Sequence, residues 1–309
     1  MVNESKRKPV NIAEQSLKIL ICPKCRGDLH NKVEKLVCNG CCTSYQVKKT
    51  IPILFTDKVS ENEKTIGDFY NLNPYDIYSE EDFSLKDFSK SKFASKIIKN
   101  VGHKDSVIDV GCGVGKYLRI FSQKKIFAVG VDQSIESLQR IKKECHDAIL
   151  INASNLHLPI RDASFSVVIS TGVIHHTGNA LTSFRELVRI LKPGGRLYLA
   201  VYRKWGRHHL VYASLGFVLR SLYYSKVSFG RQAVDRLIFP VFYIVDKYFF
   251  KKKRPYYKSR ALLFDTFLHP VVSFHTEREI KSWSKIAKLK NSFYDCDYHD
   301  LIFVVFLKK

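Results

Sequence analysis

The sequence predicts an α/β fold: a doubly wound, mostly parallel sheet of seven strands, with a small cysteine-rich unit before it and a helical insert after the fifth strand. Two observations predict this fold. Short apolar runs alternate with helical patterns between residues 104 and 202, which is typical of a parallel sheet covered by helices. The first run ends at a turn containing Gly111, Gly113 and Gly115, and a strand, a glycine turn and a helix in succession bring the backbone close to a nucleotide-like ligand.

Each element follows from the spacing of its apolar residues. Apolar runs predict strands at 106–110, 127–131, 148–151, 165–170, 196–202, 291–297 and 301–307. Helical spacing predicts helices at 84–100, 133–143, 183–191, 210–222, 233–250 and 276–289. The chain therefore divides into a cysteine-rich unit (1–57), a linker with a helix (58–103), and a main domain (104–309) whose insert spans 203–275.

The composition allows several classes of partner. The chain has 309 residues, enough for one large domain and a small one, and its 45% hydrophobic content is ample for a core. A net charge of +22 favours phosphate-bearing partners or an anionic membrane surface, although a general bias towards lysine explains it too. No apolar signal-peptide core follows residues 1–10, and no run of 18 apolar residues occurs. We therefore expect a cytoplasmic protein, with peripheral membrane attachment as an open alternative.

Four cysteines near the N-terminus have the spacing of a metal site. Cys22 and Cys25 form one C-x-x-C pair, Cys38 and Cys41 form a second, and twelve residues separate the pairs. Each pair places two thiolates on one tight turn, and two such turns supply the four ligands of tetrahedral Zn²⁺. Cys42 is an alternative fourth ligand, and a metal-free remnant or a redox pair is the competing interpretation. Because so short a unit has little core, bound zinc would have a structural role.

Residues around these cysteines resemble a known family. The stretches 20–29 and 45–54 resemble the zinc-ribbon proteins that activate tRNA and protein methyltransferases. The resemblance implies that the cysteines are a scaffold and take no part in catalysis.

A carboxylate after the second predicted strand narrows the class of ligand that the glycine turn can bind. Asp132 lies 21 residues after Gly111, where a carboxylate can hold the two hydroxyls of a ribose. The dinucleotide fingerprint G-x-G-x-x-G requires glycine at 116, and Lys116 stands there. The D-x-G-x-G-x-G pattern that begins at Asp109 resembles the S-adenosylmethionine (SAM) site of class I methyltransferases.

Two further blocks strengthen this resemblance. Residues 172–177 and 186–195 look like the corresponding blocks of the wobble-uridine tRNA methyltransferases, and many small-molecule methyltransferases share them. Ser154 stands where an aspartate commonly contacts the adenine in that family. The resemblance implies the following SAM-binding residues: Asp109, Gly111, Cys112, Gly113, Asp132, Gln133, Ser154, Asn155 and Thr171.

Two adjacent histidines are the candidate catalytic residues. His175 and His176 come just after the fourth predicted strand, where substrate meets cofactor in this fold. Methyl transfer is an in-line displacement that mainly needs alignment, and a hydroxyl or amine acceptor also needs a base. A carboxylate acceptor needs no base and would suit Arg203. The alternative is that both imidazoles only pack or cap a helix.

The insert is basic and rich in aromatic residues. Between residues 203 and 260 it has 14 Lys or Arg against two Asp. This composition is compatible with binding RNA, with a helix lying on an anionic membrane surface over 203–260, or with a helical cap over the acceptor pocket. In the linker, Tyr70 and Tyr75 are candidates for a lid over the cofactor.

The sequence thus predicts a SAM-dependent methyltransferase with a structural zinc site and an unidentified small-molecule, lipid-linked or RNA acceptor. The alternative is a non-catalytic module with a methyltransferase-like fold that binds RNA or a partner enzyme.

Overall fold

One mixed sheet of eleven strands forms the centre of the protein in its computed structural model. The structure describes residues 12, 14–56, 60–72, 91–145, 147–225, 228–249, 255–296 and 300–309. Tyr75, the second lid candidate, and the basic run 251–254 lie outside the described residues. Within the described ranges, no helix is both long and apolar enough to cross a membrane.

The sheet is parallel through its middle and antiparallel at both ends. Its strands are β1 (Leu29–Lys32), β2 (Lys35–Cys38), β3 (Ser44–Lys48), β4 (Ile51–Leu54), β5 (Val107–Val110), β6 (Ala128–Asp132), β7 (Ile149–Ala153), β8 (Phe165–Thr171), β9 (Leu191–Tyr202), β10 (Leu289–Cys296) and β11 (Leu301–Lys308). Their order is β1-β2-β3-β4-β7-β6-β5-β8-β9-β11-β10. The six strands from β4 to β9 in this order pair in parallel, and β11 runs antiparallel to both β9 and β10.

The predicted fold class is confirmed, but the sheet has eleven strands where the sequence predicts seven. The four additional strands belong to the cysteine-rich unit. β4 pairs in parallel with β7, with Ile53 opposite Asn152 and Leu54 opposite Ala153. This pairing covers the open edge of the main sheet, where unpaired N–H and C=O groups would otherwise attract another chain.

Helices cover both faces of the sheet and form the insert. They are α1 (Glu14–Ile19), α2 (Glu61–Leu72), α3 (Lys92–Asn100), α4 (Lys116–Gln123), α5 (Ile135–Glu144), α6 (Ala180–Ile190), α7 (Arg207–Ala213), α8 (Leu215–Tyr223), α9 (Ser228–Ala233), α10 (Phe239–Ile244), α11 (Tyr256–Leu263) and α12 (Glu277–Ile286). Short π-helical segments follow α9, α10 and α11, at Val234–Ile238, Val245–Phe249 and Phe264–Leu268, and a 3₁₀ turn spans Ile174–His176.

The two helices predicted in the insert are interrupted. The one predicted at 210–222 is divided into α7 and α8 at Ser214, whose φ and ψ are −96° and −89°. The one predicted at 233–250 contains two π segments. Pro240 accounts for the first, because it has no N–H to donate to the carbonyl of Arg236 and the helix widens before it.

Three apolar clusters hold these layers together. Two lie on the opposite faces of the sheet, and the first also contains residues of the cysteine-rich unit such as Leu20, Leu36 and Leu54. The third joins the insert to α2, because Phe69 packs among the insert's own apolar residues, which include Phe264. The cysteine-rich unit therefore shares a core with the sheet, and the insert shares one with α2.

We expect Leu54→Ala to lower the free energy of unfolding by about 2–5 kcal/mol, since Leu54 is fully buried in the core shared by the ribbon and the main sheet. Val33→Ala is the matched control, because Val33 is 72% exposed and its truncation should change stability by less than about 0.5 kcal/mol. Denaturant titration followed by circular dichroism measures both. An equally small effect of the two substitutions would contradict a shared core.

Candidate active site

A cavity of about 1000 Å³ lies at the carboxyl ends of β5, β6, β8 and β9. The strand ends contribute Asp109, Asp132 and Thr171 to its wall. Helix α2 contributes Tyr70, and the insert contributes Asp265, so elements outside the sheet close the cavity. One cavity therefore contains groups from the predicted cofactor site and from the insert.

Glycines shape the turn between β5 and α4. Gly111 has a φ of +79°, and a Cβ there would lie 2.2 Å from Cγ1 of Val173. Gly113 has a φ of +51° and open space where a Cβ would point. Both residues need the left-handed conformation that glycine adopts without strain. The space beside Gly113 opens onto the cavity, so a ligand can approach the backbone there.

Two carboxyl groups lie beside this turn in different environments. Asp132 accepts hydrogen bonds from the N–H groups of Gly113 and Ser134, each at 2.8 Å, which oppose the upward effect of burial on its pKa. Burial raises the pKa of Asp109 to about 8, and the charge of Asp132 adds to this while Lys116 opposes it. Asp109 is therefore largely protonated at neutral pH.

The structure separates the two residues predicted at the adenine end. Ser154 does not line the cavity; its hydroxyl donates a hydrogen bond to Glu63 of α2 and accepts one from the N–H of Leu156 at 3.1 Å. Asn155 does line the cavity, and its Oδ1 is buried without a hydrogen-bond partner among the described residues. Gln133 also faces the cavity. An unsatisfied buried acceptor there suits a ligand that brings a donor.

The two candidate histidines have different surroundings. His176 lines the cavity, and its Nδ1 lies 3.3 Å from the carbonyl of Val271, which can only accept, so Nδ1 carries the proton. His175 is fully buried behind the cavity, where its Nδ1 accepts a hydrogen bond from the Tyr202 N–H at 3.2 Å. Burial lowers the pKa of His176 to about 3 and that of His175 well below its usual range. Both imidazoles are therefore neutral.

Asp265 was not predicted from the sequence. Its Oδ1 lies 3.7 Å from Nε2 of His176, and its Oδ2 accepts a hydrogen bond from the Tyr202 hydroxyl at 3.0 Å. Burial raises the pKa of Asp265 to about 6, against the lowering effect of the Tyr202 bond. A sequence signal does exist, since Asp265 is the one charged residue in the otherwise uncharged stretch 261–275, not counting histidine.

The four cysteines of the ribbon converge. The sulfur atoms of Cys22, Cys25, Cys38 and Cys41 all lie within 4.8 Å of one another, with 3.6 Å between Cys22 and Cys41 and 3.4 Å between Cys25 and Cys38. Tetrahedral Zn²⁺ with bonds of about 2.3 Å separates its sulfur ligands by about 3.8 Å, so the spacing fits zinc. Cys42 is exposed and lies outside this cluster.

Comparison with known proteins agrees with this architecture. Residues 108–199 match the family model described as a methyltransferase domain. The chain is 36% identical over 99 residues to human probable tRNA methyltransferase 9B, covering 31% of this chain and 21% of that protein. It is 30% identical over 179 residues to mouse tRNA (carboxymethyluridine(34)-5-O)-methyltransferase ALKBH8, covering 55% of this chain and 26% of that protein.

A solved structure with the same fold supports this assignment. Magnesium protoporphyrin IX methyltransferase from Synechocystis with bound SAM has a TM-score of 0.50 at 12% identity, over 82% of this chain and 100% of that one. The likeness shows the fold alone. The predicted resemblance is confirmed in that residues 108–199 match the methyltransferase-domain family and tRNA methyltransferases are among the relatives.

Proposed function

We propose that this protein is a SAM-dependent methyltransferase that acts on a hydroxyl or amine acceptor. The observation that carries the proposal is the single cavity that joins the glycine turn and Asp132 to His176 and Asp265. The glycine turn and Asp132 suit the cofactor, whereas His176 and Asp265 suit an acceptor that must lose a proton. The chain spans only about a fifth to a quarter of the tRNA-modifying relatives, so their activities are not carried over whole.

The residues at the cofactor end fit SAM. The Asp132 carboxylate would accept hydrogen bonds from the ribose hydroxyls, and the open space beside Gly113 would let the cofactor approach the backbone. The unsatisfied Oδ1 of Asn155 would accept a hydrogen bond from the adenine amine. SAM supplies a methyl group on a sulfonium, which a nucleophile displaces in line.

At the acceptor end, the chain would position the nucleophile and receive its proton. Tyr202 holds one oxygen of Asp265, and the other oxygen faces the cavity beside Nε2 of His176. The bond to Val271 leaves Nε2 of His176 as an acceptor that could orient a hydroxyl or amine, and Asp265, whose pKa is about 6, would take its proton. Burial of both groups keeps bulk water away from the reacting atoms.

Asp265 disfavours a carboxylate acceptor in its immediate neighbourhood, because the ionised Asp265 would repel a second carboxylate. Arg203, the predicted partner for such an acceptor, is exposed and does not line the cavity, whereas Arg207 does line it. A tRNA uridine is a second candidate acceptor, favoured by the resemblance to enzymes named for that activity. The non-catalytic alternative predicts RNA or protein binding without methyl transfer.

We also propose that Cys22, Cys25, Cys38 and Cys41 bind one structural Zn²⁺. The spacing of the four sulfurs supports this proposal. Gly27 lies close against the cluster, because a Cβ there would be 3.2 Å from Sγ of Cys38. The metal would fix the turns that precede β1 and follow β2.

The division of the chain into units 1–57, 58–103 and 104–309 stays a prediction.

We expect Asp132→Asn to weaken SAM binding about 100-fold, because charged hydrogen bonds to the ribose hydroxyls are lost. Isothermal titration calorimetry with SAM measures this effect. Asp162→Asn is the matched control, because the Asp162 side chain is 63% exposed and does not line the cavity. Folded wild-type protein that does not bind SAM would contradict the proposed function.

We expect Asp265→Asn to lower methyl transfer about 100-fold while SAM affinity is retained, because a general base contributes at least this factor. Labelled SAM is incubated with the protein and, in separate reactions, bulk tRNA, a lipid extract and a small-molecule extract. Label in the tRNA alone, unaffected by Asp265→Asn, would contradict the hydroxyl or amine proposal in favour of the second candidate. No label in any fraction, with SAM bound, would favour the non-catalytic alternative.

The raised pKa of Asp265 also makes stability depend on pH. The pKa is about 6 in the folded protein against about 3.9 in an unfolded chain, so between these values the folded state binds more protons. The free energy of unfolding should therefore fall as pH rises from 4 to 6, and Asp265→Asn should remove this component. His176, Tyr202 and Tyr70 are the titratable groups that act on Asp265. Denaturant titrations at several pH values test this, and an unchanged slope in the variant would contradict it.

For the metal site, we expect Cys41→Ser to abolish bound zinc and Cys42→Ser to retain about one zinc ion per chain. The two cysteines are adjacent, and only Cys41 belongs to the sulfur cluster, which makes them a matched pair. Mass spectrometry of metals in the purified protein measures the content. Loss of zinc in the Cys42 variant alone would show that the fourth ligand is misassigned.

A further inference from the structure

Exposed apolar side chains are concentrated in the insert. Among the described residues, 17 large apolar side chains are exposed, and 14 of them lie between residues 203 and 275. These are Trp205, Leu210, Val211, Leu215, Phe217, Val218, Tyr224, Leu237, Val241, Ile244, Val245, Tyr248, Tyr256 and Tyr257. Single exposed apolar residues are ordinary, but a contiguous set marks an interaction surface.

The longest part of this surface is an apolar stripe along the segment from α9 to the π turn after α10. It consists of Leu237, Val241, Ile244, Val245 and Tyr248, which are spaced by three or four residues with one adjacent pair. Such spacing places side chains on one face of a helix. The first three are 63%, 60% and 54% exposed, so nothing among the described residues covers the stripe.

The opposite faces of these helices are packed. Val234 and Phe239, which alternate with the stripe, are buried in the third apolar cluster against the Phe264–Leu268 segment. Helix α8 repeats the arrangement, because Leu219 packs into the same cluster while Phe217 is 63% exposed. The insert therefore has an inner apolar face that joins it to the protein and outer apolar faces that are exposed.

The charged residues around the stripe are mostly positive. Between residues 203 and 260 there are 14 Lys or Arg and two Asp. Arg236 and Lys247 are exposed next to stripe residues, whereas Asp235 is paired with Arg260 at 3.4 Å. An exposed apolar face flanked by unbalanced positive charge is complementary to an anionic lipid surface, which offers hydrocarbon and phosphate together.

The chemistry of the stripe favours lipid over RNA. Four of the five stripe residues are leucine, valine or isoleucine, which can neither stack on bases nor donate hydrogen bonds to phosphates, whereas RNA-binding surfaces rely on aromatic stacking and polar groups. At a bilayer, the same aliphatic side chains leave water at the boundary between headgroups and acyl chains.

We propose that the exposed apolar residues of the insert within 210–224 and 237–248 dock in the plane of an anionic lipid bilayer. Val211 is 37% exposed and also lines the cavity, so the docked surface adjoins the opening of the cavity. Docking would therefore make the acceptor site accessible from the membrane. This consequence rests on the proposed function, whereas the docking itself does not.

Sedimentation of the full chain with vesicles tests the docking. Vesicles of equal parts phosphatidylglycerol and phosphatidylcholine should bind the protein, and pure phosphatidylcholine should bind it much more weakly. The triple variant Leu237→Gln, Val241→Gln, Ile244→Gln should bind the anionic vesicles about 100-fold more weakly, because three apolar side chains that docking would bury are lost from the surface.

The chain offers a matched control outside the insert. Val33, Phe127 and Ile286 are 72%, 50% and 64% exposed, so Val33→Gln, Phe127→Gln, Ile286→Gln removes similar apolar surface elsewhere. This control should bind the vesicles like the wild type. Circular dichroism and thermal unfolding establish that both triple variants remain folded.

A second pair of variants tests the charge. Arg236→Gln with Lys247→Gln should weaken binding to anionic vesicles about 30-fold, since each cation near such a surface contributes about fivefold. Lys99→Gln with Lys285→Gln is the control, because both lysines are exposed on helices outside the insert. This pair also covers the case in which the apolar triple variant does not fold.

Failure of the wild type to bind anionic vesicles would overturn the proposal, as would equal losses in the insert variants and their controls. Binding of bulk tRNA that the apolar triple variant abolishes, without vesicle binding, would assign the surface to a nucleic acid. The sedimentation uses no SAM, so these results leave the proposed methyltransferase function untouched.

Discussion

The cavity depends on one close approach between two strand ends. The turn after β5 lies so close to the end of β8 that a Cβ at Gly111 would lie 2.2 Å from Cγ1 of Val173. Because only glycine leaves this space, the turn folds over the sheet and brings the N–H of Gly113 to the carboxylate of Asp132 on β6. The ends of β5, β6 and β8 therefore meet at one crevice because residue 111 has no Cβ.

The sheet alone would leave that crevice open. Helix α2 and the insert cover it, and the insert brings the ring of His269 within 3.9 Å of the ring of His176. Burial lowers the pKa of both histidines, so they pack as neutral rings. Asp265 is then the titratable group beside these neutral rings, and electrostatic effects are stronger at a buried group than in water.

Local patterns in the sequence predicted the glycine turn, Asp132 and the four convergent cysteines, because each belongs to a motif whose residue types and spacing identify it without knowledge of the fold. Contacts over long sequence distances escaped prediction. Ser154 meets Glu63 across 91 residues, and Tyr202 meets Asp265 across 63. No strand is predicted at residues 51–54, whose partner β7 is about 100 residues away in the sequence, so the predicted sheet has too few strands. A pattern identifies which face of an element is buried, whereas the partner depends on the whole topology.

The first turn of α2 is tied to the core by one side chain. Glu63 accepts hydrogen bonds from the backbone N–H and hydroxyl of Ser60, both at 2.9 Å, and with its other oxygen accepts the hydroxyl of Ser154. A helix that carries Tyr70 over the cavity is therefore capped and anchored by the same carboxylate. If α2 swung away as a rigid lid, it would break the hydrogen bond between Ser154 and Glu63, so any widening of the cavity on this side should proceed by fraying of the helix from its C-terminal end, which carries Tyr70.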